Sequence, residues 1–139
     1  MKKGEKVKNV MTKDVLTVDI NDSLQTVNKL FRKNRIRHLP VTSDDKLIGI
    51  LSQTDILRIS FGNTFGDEQQ SGDEAIFDML SINQVMKHSP VTVTSEATVK
   101  EAGQILAEKE FHALPVVDEE KLVGIITTTD LINYFLKEL

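Results

Sequence analysis

Cysteine is absent from the chain. Its absence excludes disulfides, thiol catalysis and cysteine-ligated zinc. It also fits a reducing, cytoplasmic setting. No apolar run approaches the roughly 18 residues that a membrane span needs. The opening Met1-Lys2-Lys3-Gly4-Glu5-Lys6 is basic, but no apolar signal region follows it. There is no excess of basic residues either. Seventeen Lys and Arg against 21 Asp and Glu give a net charge of −4, which disfavours a general nucleic-acid binder. A glycine-rich phosphate loop and a Gly-x-Ser-x-Gly elbow are both missing. His38, His88 and His112 have no metal-ligand spacing with nearby carboxylates, so no metal site is expected. Nucleophile, base and orienting group do not assemble in the sequence, so no catalysis and no obligate cofactor are expected.

What is present is ordinary globular material, 40% hydrophobic and 27% charged. A chain of 139 residues buries roughly 68% of its unfolded surface. Half of it would be marginal alone. Half of it is also what repeats. Val10-Met11 recurs as Val85-Met86, Thr17-Val18 as Thr92-Val93, and Leu39-Pro40-Val41 as Leu114-Pro115-Val116. Lys46-Leu47 recurs as Lys121-Leu122, Gly49-Ile50 as Gly124-Ile125, and Thr54-Asp55 as Thr129-Asp130. One offset of 75 residues relates every pair, and 13 of the 47 positions from 10 to 56 are identical. Two copies are too few for a solenoid. They predict a pseudo-symmetric pair folding together.

Each copy reads as β-α-β-β-α. Val15-Leu16-Thr17-Val18 and Val91-Thr92-Val93 are β-branched runs and read as strands. Asn21-Asp22-Ser23 then offers helix caps, and Leu24, Val27, Leu30 and Phe31 form one apolar stripe. In the second copy either Ser95 or the Thr98/Glu101 capping box opens the helix, and Val99, Ala102, Ile105 and Leu106 repeat the stripe. Ile36-Arg37-His38-Leu39-Pro40-Val41 and Phe111-His112-Ala113-Leu114-Pro115-Val116 read as strands. Their prolines predict an edge or a strand end. Asp44-Asp45 and Glu119-Glu120 belong to solvated turns, and Leu47–Leu51 and Leu122–Ile126 read as buried strands. A second helix opens at Thr54-Asp55 and at Thr129-Asp130. The boundaries are a first motif over 1–61, a linker and lead-in helix over 62–81, and a second motif over 82–139. Within the middle stretch, 62–73 is polar and glycine-bearing and is read as a mobile linker, and Ala75–Leu80 is read as the helix.

The chemistry concentrates at two places, Gly49-Ile50-Leu51-Ser52-Gln53-Thr54-Asp55 and Gly124-Ile125-Ile126-Thr127-Thr128-Thr129-Asp130. Each runs from a buried strand through hydroxyl residues to an acid at a helix start. Free N–H groups and the helix dipole attract phosphate there. Hydroxyls donate to phosphate, and a carboxylate accepts from ribose hydroxyls. The same residue types are also ordinary helix caps. Both copies keep hydroxyl, spacer, threonine and acid at one spacing, which favours a nucleotide over capping alone.

These residues resemble a tandem pair of cystathionine β-synthase (CBS) domains, a Bateman module. The resemblance covers about residues 7–61 and 82–137. It rests on Val-Met, Leu-Pro-Val, the Leu-apolar-Gly-apolar-apolar strand and the terminal Thr-Asp taken together. It implies an α/β (α+β) fold of two pseudo-twofold-related β-α-β-β-α units forming one compact module, with two clefts between them. It implies an adenosine-containing regulatory ligand: AMP, ADP, ATP or S-adenosylmethionine. Asp55 and Asp130 would hold ribose, and Ser52 and Thr54, or Thr127 and Thr129, would meet phosphate. Pro90 and Val91 would face Asp55, and Val15 and Leu16 would face Asp130. Ile36, Arg37 and His38, with Phe111, His112 and Ala113, would approach base or phosphate.

The copies differ in charge. Lys29, Arg32, Lys33, Arg35, Arg37 and His38 become Gln104, Ala107, Glu108, Glu110, His112 and Ala113. Lys29, Arg32 and Lys33 read as a solvated helix face, whereas Arg37 is placed for phosphate. The clefts are therefore expected to be unequal. The leading expectation is a cytoplasmic, homodimeric sensor that signals to an unidentified effector protein. The alternative is a structural module that dimerises through Leu57, Ile59, Phe61, Leu131, Tyr134 and Phe135, residues that could equally be core. A nucleic-acid role through the basic run is disfavoured.

Overall fold

The computed structural model describes residues 3–63 and 75–139. Most of the stretch read as a polar linker, and the side chain of Phe61, lie outside the described residues. The chain divides into two units: Leu16–Ser89, and Met1–Val15 together with Pro90–Leu139. The segment ahead of each sequence copy therefore packs with the other copy.

In Leu16–Ser89, strand β1 (Val18–Asp19) leads to helix α1 (Leu24–Lys33). Ser23 caps α1, its hydroxyl accepting from the Thr26 amide at 3.1 Å. The predicted stripe points inward, with Leu24, Val27 and Phe31 buried. Strands β2 (His38–Ser43) and β3 (Lys46–Ser52) form a hairpin. Its two-residue turn, Asp44-Asp45, is left-handed at both positions, with φ of 50° and 66°. That is the geometry whose twist suits a hairpin. Helix α2 (Gln53–Asn63) follows β3 without a break. A short helix, α3, covers residues 75–79. After it, α4 (Ile82–Val85) and β4 (Lys87–His88) return to this unit, and β4 pairs antiparallel with β3. Leu39, Val41, Leu51 and Ile56 form the core with Phe77, Ile82 and Met86. Burying each such side chain stabilises by about 1.5–3 kcal/mol.

The other unit repeats the plan with its own lead-in. A 3₁₀ turn, Val7–Asn9, buries Val7 against Val93, Ala102, Leu106, Leu114, Val116 and Ile126. Thr12 pairs with Ile125 in both directions, at 2.8 and 2.9 Å. Helix α5 (Val99–Lys109) is capped by Thr98 in a reciprocal box with Glu101. Ser95 bonds to Asp118 instead, which decides between the two caps read from sequence. Strands β5 (Ala113–Asp118) and β6 (Lys121–Thr127) form the second hairpin, and α6 (Thr128–Glu138) follows.

Two expectations need correction. The strands read at Val15–Val18 and Val91–Val93 shrink to Val18–Asp19 and to a single bridge at Val93. The prolines are not at strand ends, although the edge half of that expectation holds for β5, which pairs with β6 on one side and meets only the single bridge at Val93 on the other. Pro40 and Pro115 are buried inside β2 and β5, opposite Ile50 and Ile125. One cause explains both. Around Val93 the parallel ladder uses Val93 N–H to Pro115 O (3.1 Å) and Val117 N–H to Val93 O (2.9 Å). The next bond upstream would need an N–H on Pro115, which proline lacks. The proline is thus tolerated in mid-strand because its missing donor faces the short neighbour, and it stops that neighbour.

Among the described residues no helix is long and apolar enough to cross a membrane.

Candidate functional site

Ser52 ends β3 and Thr127 ends β6, so each hydroxyl sits where strand becomes helix. The helices open at Gln53 and Thr128, one residue earlier than the sequence reading placed them. The acids thereby become the third helical residue and close reciprocal caps. Asp55 N–H donates to Ser52 Oγ at 3.1 Å, and Ser52 N–H donates to Asp55 Oδ2 at 3.0 Å. Asp130 N–H donates to Thr127 Oγ1 at 3.0 Å, and Thr127 N–H donates to Asp130 Oδ2 at 3.0 Å. Capping is therefore a real job of the motif. It also pre-orients each carboxylate at the positive end of a helix. A carboxylate has about four lone-pair positions, so each keeps acceptor capacity beyond its cap.

The segments before β2 and β5 come to the same place. Gln53 N–H donates to Arg37 O at 2.8 Å, and His38 is in register with Ser52. Thr128 N–H donates to His112 O at 3.0 Å, and Ala113 is in register with Thr127. Ile36, Arg37 and His38 thus gather with Ser52 and Asp55, and Phe111, His112 and Ala113 with Thr127 and Asp130. Arg37, His112, Thr54 and Thr129 are exposed, while Ile36, His38 and Phe111 are half-buried. Lys29, Arg32 and Lys33 face solvent. Val15 is half-buried and Leu16 exposed, as are their counterparts Pro90 and Val91 respectively. Pro90, Val91 and Val15 fall in the unit of Asp130, and Leu16 falls in that of Asp55.

The two carboxylates have different companions. Asp55 is buried, 5% exposed, and Arg58 Nη1 lies 3.5 Å from its Oδ1. Asp130 is half-buried, and the Thr12 hydroxyl lies 3.1 and 3.3 Å from its two oxygens. Sequence reasoning missed both partners. Arg58 was within reach of a simple rule, since residues three apart on a helix are neighbours. Thr12 is 118 positions from Asp130 and gave no local signal.

The lead-in motifs and the strand glycines are two halves of one feature. A β-carbon at Gly49 would run into the Met86 thioether, and one at Gly124 would lie 2.7 Å from Met11 Sδ and 2.8 Å from Thr12 O. Met11 and Met86 are the methionines of the repeated Val-Met pairs, so the repeat preserves a docking contact.

The CBS domain family model matches residues 7–62 and 82–137. The chain is a pair of CBS domains. Relatives of this CBS pair include protein MJ1225 of Methanocaldococcus jannaschii, 29% identical over 95% of the chain. The chain spans only 48% of that relative. Among solved structures, CBSX2 (from Arabidopsis thaliana) in complex with AMP is 26% identical with a TM-score of 0.80, covering 97% of this chain and 98% of that one. The CBS domain pair of protein MJ0100, in complex with 5′-methylthioadenosine and S-adenosyl-L-methionine, is 25% identical with a TM-score of 0.78. It covers 94% of this chain and 98% of the other.

Proposed function

We propose that this CBS pair is a non-catalytic regulatory module that binds an adenosine-containing ligand, of the class AMP, ADP, ATP or S-adenosylmethionine. The observation that carries the reading is the duplicated, pre-oriented carboxylate. Asp55 and Asp130 each sit at a helix start with spare acceptor capacity and a capped geometry. Ribose hydroxyls would bond to them. Phosphate would meet Ser52 and Thr54, or Thr127 and Thr129, with Arg37 or His112 nearby. Ile36, His38 and Phe111 would border the base, and Pro90, Val91, Val15 and Leu16 would complete the walls. Two structural relatives described with adenosine ligands support the ligand class. The module would work in the cytoplasm as a homodimer and pass its state to an effector protein. A ligand shifts such an equilibrium only by its difference in affinity for the two states.

Thermal unfolding with each of the four ligands tests this. A ligand at 100 times its dissociation constant stabilises by about 2.7 kcal/mol. Asp55→Asn and Asp130→Asn should each diminish that shift. No shift with any ligand at millimolar concentration would refute the reading.

One observation favours a second reading, in which self-association is the whole function. Helix α6 exposes Ile132, Phe135 and Leu136, and Leu139 just beyond its end is exposed too, at spacings i, i+3, i+4 and i+7. A ligand-independent dimer that Phe135→Lys dissolves, with no ligand bound by either form, would establish it.

A further inference from the structure

We propose that Thr12 is a built-in competitor for the Asp130 site, standing where a ligand hydroxyl would bond. This rests on the binding reading above and concerns how that binding is set. The Thr12 hydroxyl is nearly equidistant from the two oxygens of Asp130, at 3.1 and 3.3 Å. A sugar hydroxyl bonding to that carboxylate would compete for the same oxygens, because each hydroxyl has one proton to donate and the carboxylate only accepts. Oδ2 also takes the Thr127 amide at 3.0 Å. Two of the carboxylate's acceptor positions are therefore occupied within the chain.

Thr12 is held there by more than its side chain. Its backbone pairs with Ile125 at 2.8 and 2.9 Å, and Met11 beside it packs over Gly124. The hydroxyl can rotate away, but the residue is anchored. A ligand diol must turn that hydroxyl out, and the bond lost is subtracted from the affinity.

The other copy lacks the device. The equivalent backbone position, opposite Ile50, is Lys87, which has no hydroxyl. Asp55 is instead approached by Arg58, whose side chain is 71% exposed and can also pair with a ligand phosphate. The two sites are thereby made unequal by companions of the carboxylates, in addition to the basic run.

Calorimetric titration of AMP tests the proposal in an Asp55→Asn background, so that the Asp130 site alone is read. Thr12→Val removes the hydroxyl and preserves shape and backbone bonds. It should tighten AMP by about 2- to 12-fold, the range that one net hydrogen bond commands. Thr12→Ser keeps the hydroxyl and should stay within about twofold of the parent, inside the spread of that same bond. Unchanged or weaker binding by Thr12→Val, with AMP still bound, overturns the role of Thr12 and leaves the binding reading standing. If neither the parent, nor these variants, nor the unmodified chain binds AMP, this proposal fails, and the binding reading fails with it only if ADP, ATP and S-adenosylmethionine are not bound either.

Discussion

Met86 lies over Gly49, where a β-carbon would also come within 3.0 Å of the Lys87 carbonyl oxygen. The equivalent pair, Met11 over Gly124, closes the other unit. At Gly124 the Met11 side chain can shift, but Thr12 O cannot give way freely, since it belongs to the bridge with Ile125. Gly49→Ala and Gly124→Ala should therefore each lose about 1–3 kcal/mol, the usual cost of overpacking. Urea unfolding measures this. Met11→Ala in the Gly124→Ala background should recover part of the loss.

The caps predict a separation of stability from binding. Ser52→Ala and Thr127→Ala each remove the hydroxyl that receives the amide of the acid. Each should cost about 0.5–2 kcal/mol. Asp130→Asn keeps an oxygen for the Thr127 amide and should cost less than the alanine variants, as chemical denaturation can show. Its effect on ligand binding should be the larger one.

The hairpin turns carry four acids in the left-handed region: Asp44 (50°), Asp45 (66°), Glu119 (49°) and Glu120 (68°). That region costs an L-residue roughly 1–2 kcal/mol, and glycine escapes the cost. Glu120→Gly should raise stability by up to about 1 kcal/mol after the entropy that glycine loses on folding. A rise in the unfolding midpoint checks it, and a fall would show that the glutamate makes a compensating interaction.

The lead-in that carries Thr12 is clipped by charge. Lys8 Nζ lies 2.7 Å from Glu96 Oε2. The hydrogen bond from Lys8, and then its charge, hold Glu96 below the ordinary value of 4.5. The Ser95 hydroxyl and amide hold Asp118 below 3.8, and the bond to Glu96 raises Lys8 above 10.5. The lowered acids contribute at neutral pH and lose that contribution as pH falls through their depressed values. The raised lysine contributes below 10.5 and loses that contribution as pH rises through its elevated value. The pair is exposed, so global stability should barely respond. Exchange protection of the Val7 and Lys8 amides, which donate to Ala97 O and Ser95 O, should fall on acidification to pH about 3. Glu96→Gln should show reduced protection already at neutral pH.

Much of this architecture was legible because local signals agreed. Ser23 and Thr98 are caps at equivalent positions, and the stripes behind them point inward. The six recurring blocks placed both carboxylates at helix starts. Two things were illegible for physical reasons. The effect of Pro40 and Pro115 depends on which side of the strand their missing donor faces, and sequence does not say. The companions of the acids depend on tertiary approach. Thr12 reaches Asp130 only because the lead-in of one copy folds with the other.

The duplicated carboxylates are proposed to receive an adenosine ligand. Equilibrium titration of the intact chain with AMP tests that proposal most directly, with Asp55→Asn, Asp130→Asn and the double variant alongside. The wild type should bind saturably, with binding reduced in each single variant and abolished in the double one, and all four proteins folded. Absence of binding by the wild type at millimolar AMP and equally at millimolar ADP, ATP and S-adenosylmethionine, or undiminished binding by the double variant, would contradict it.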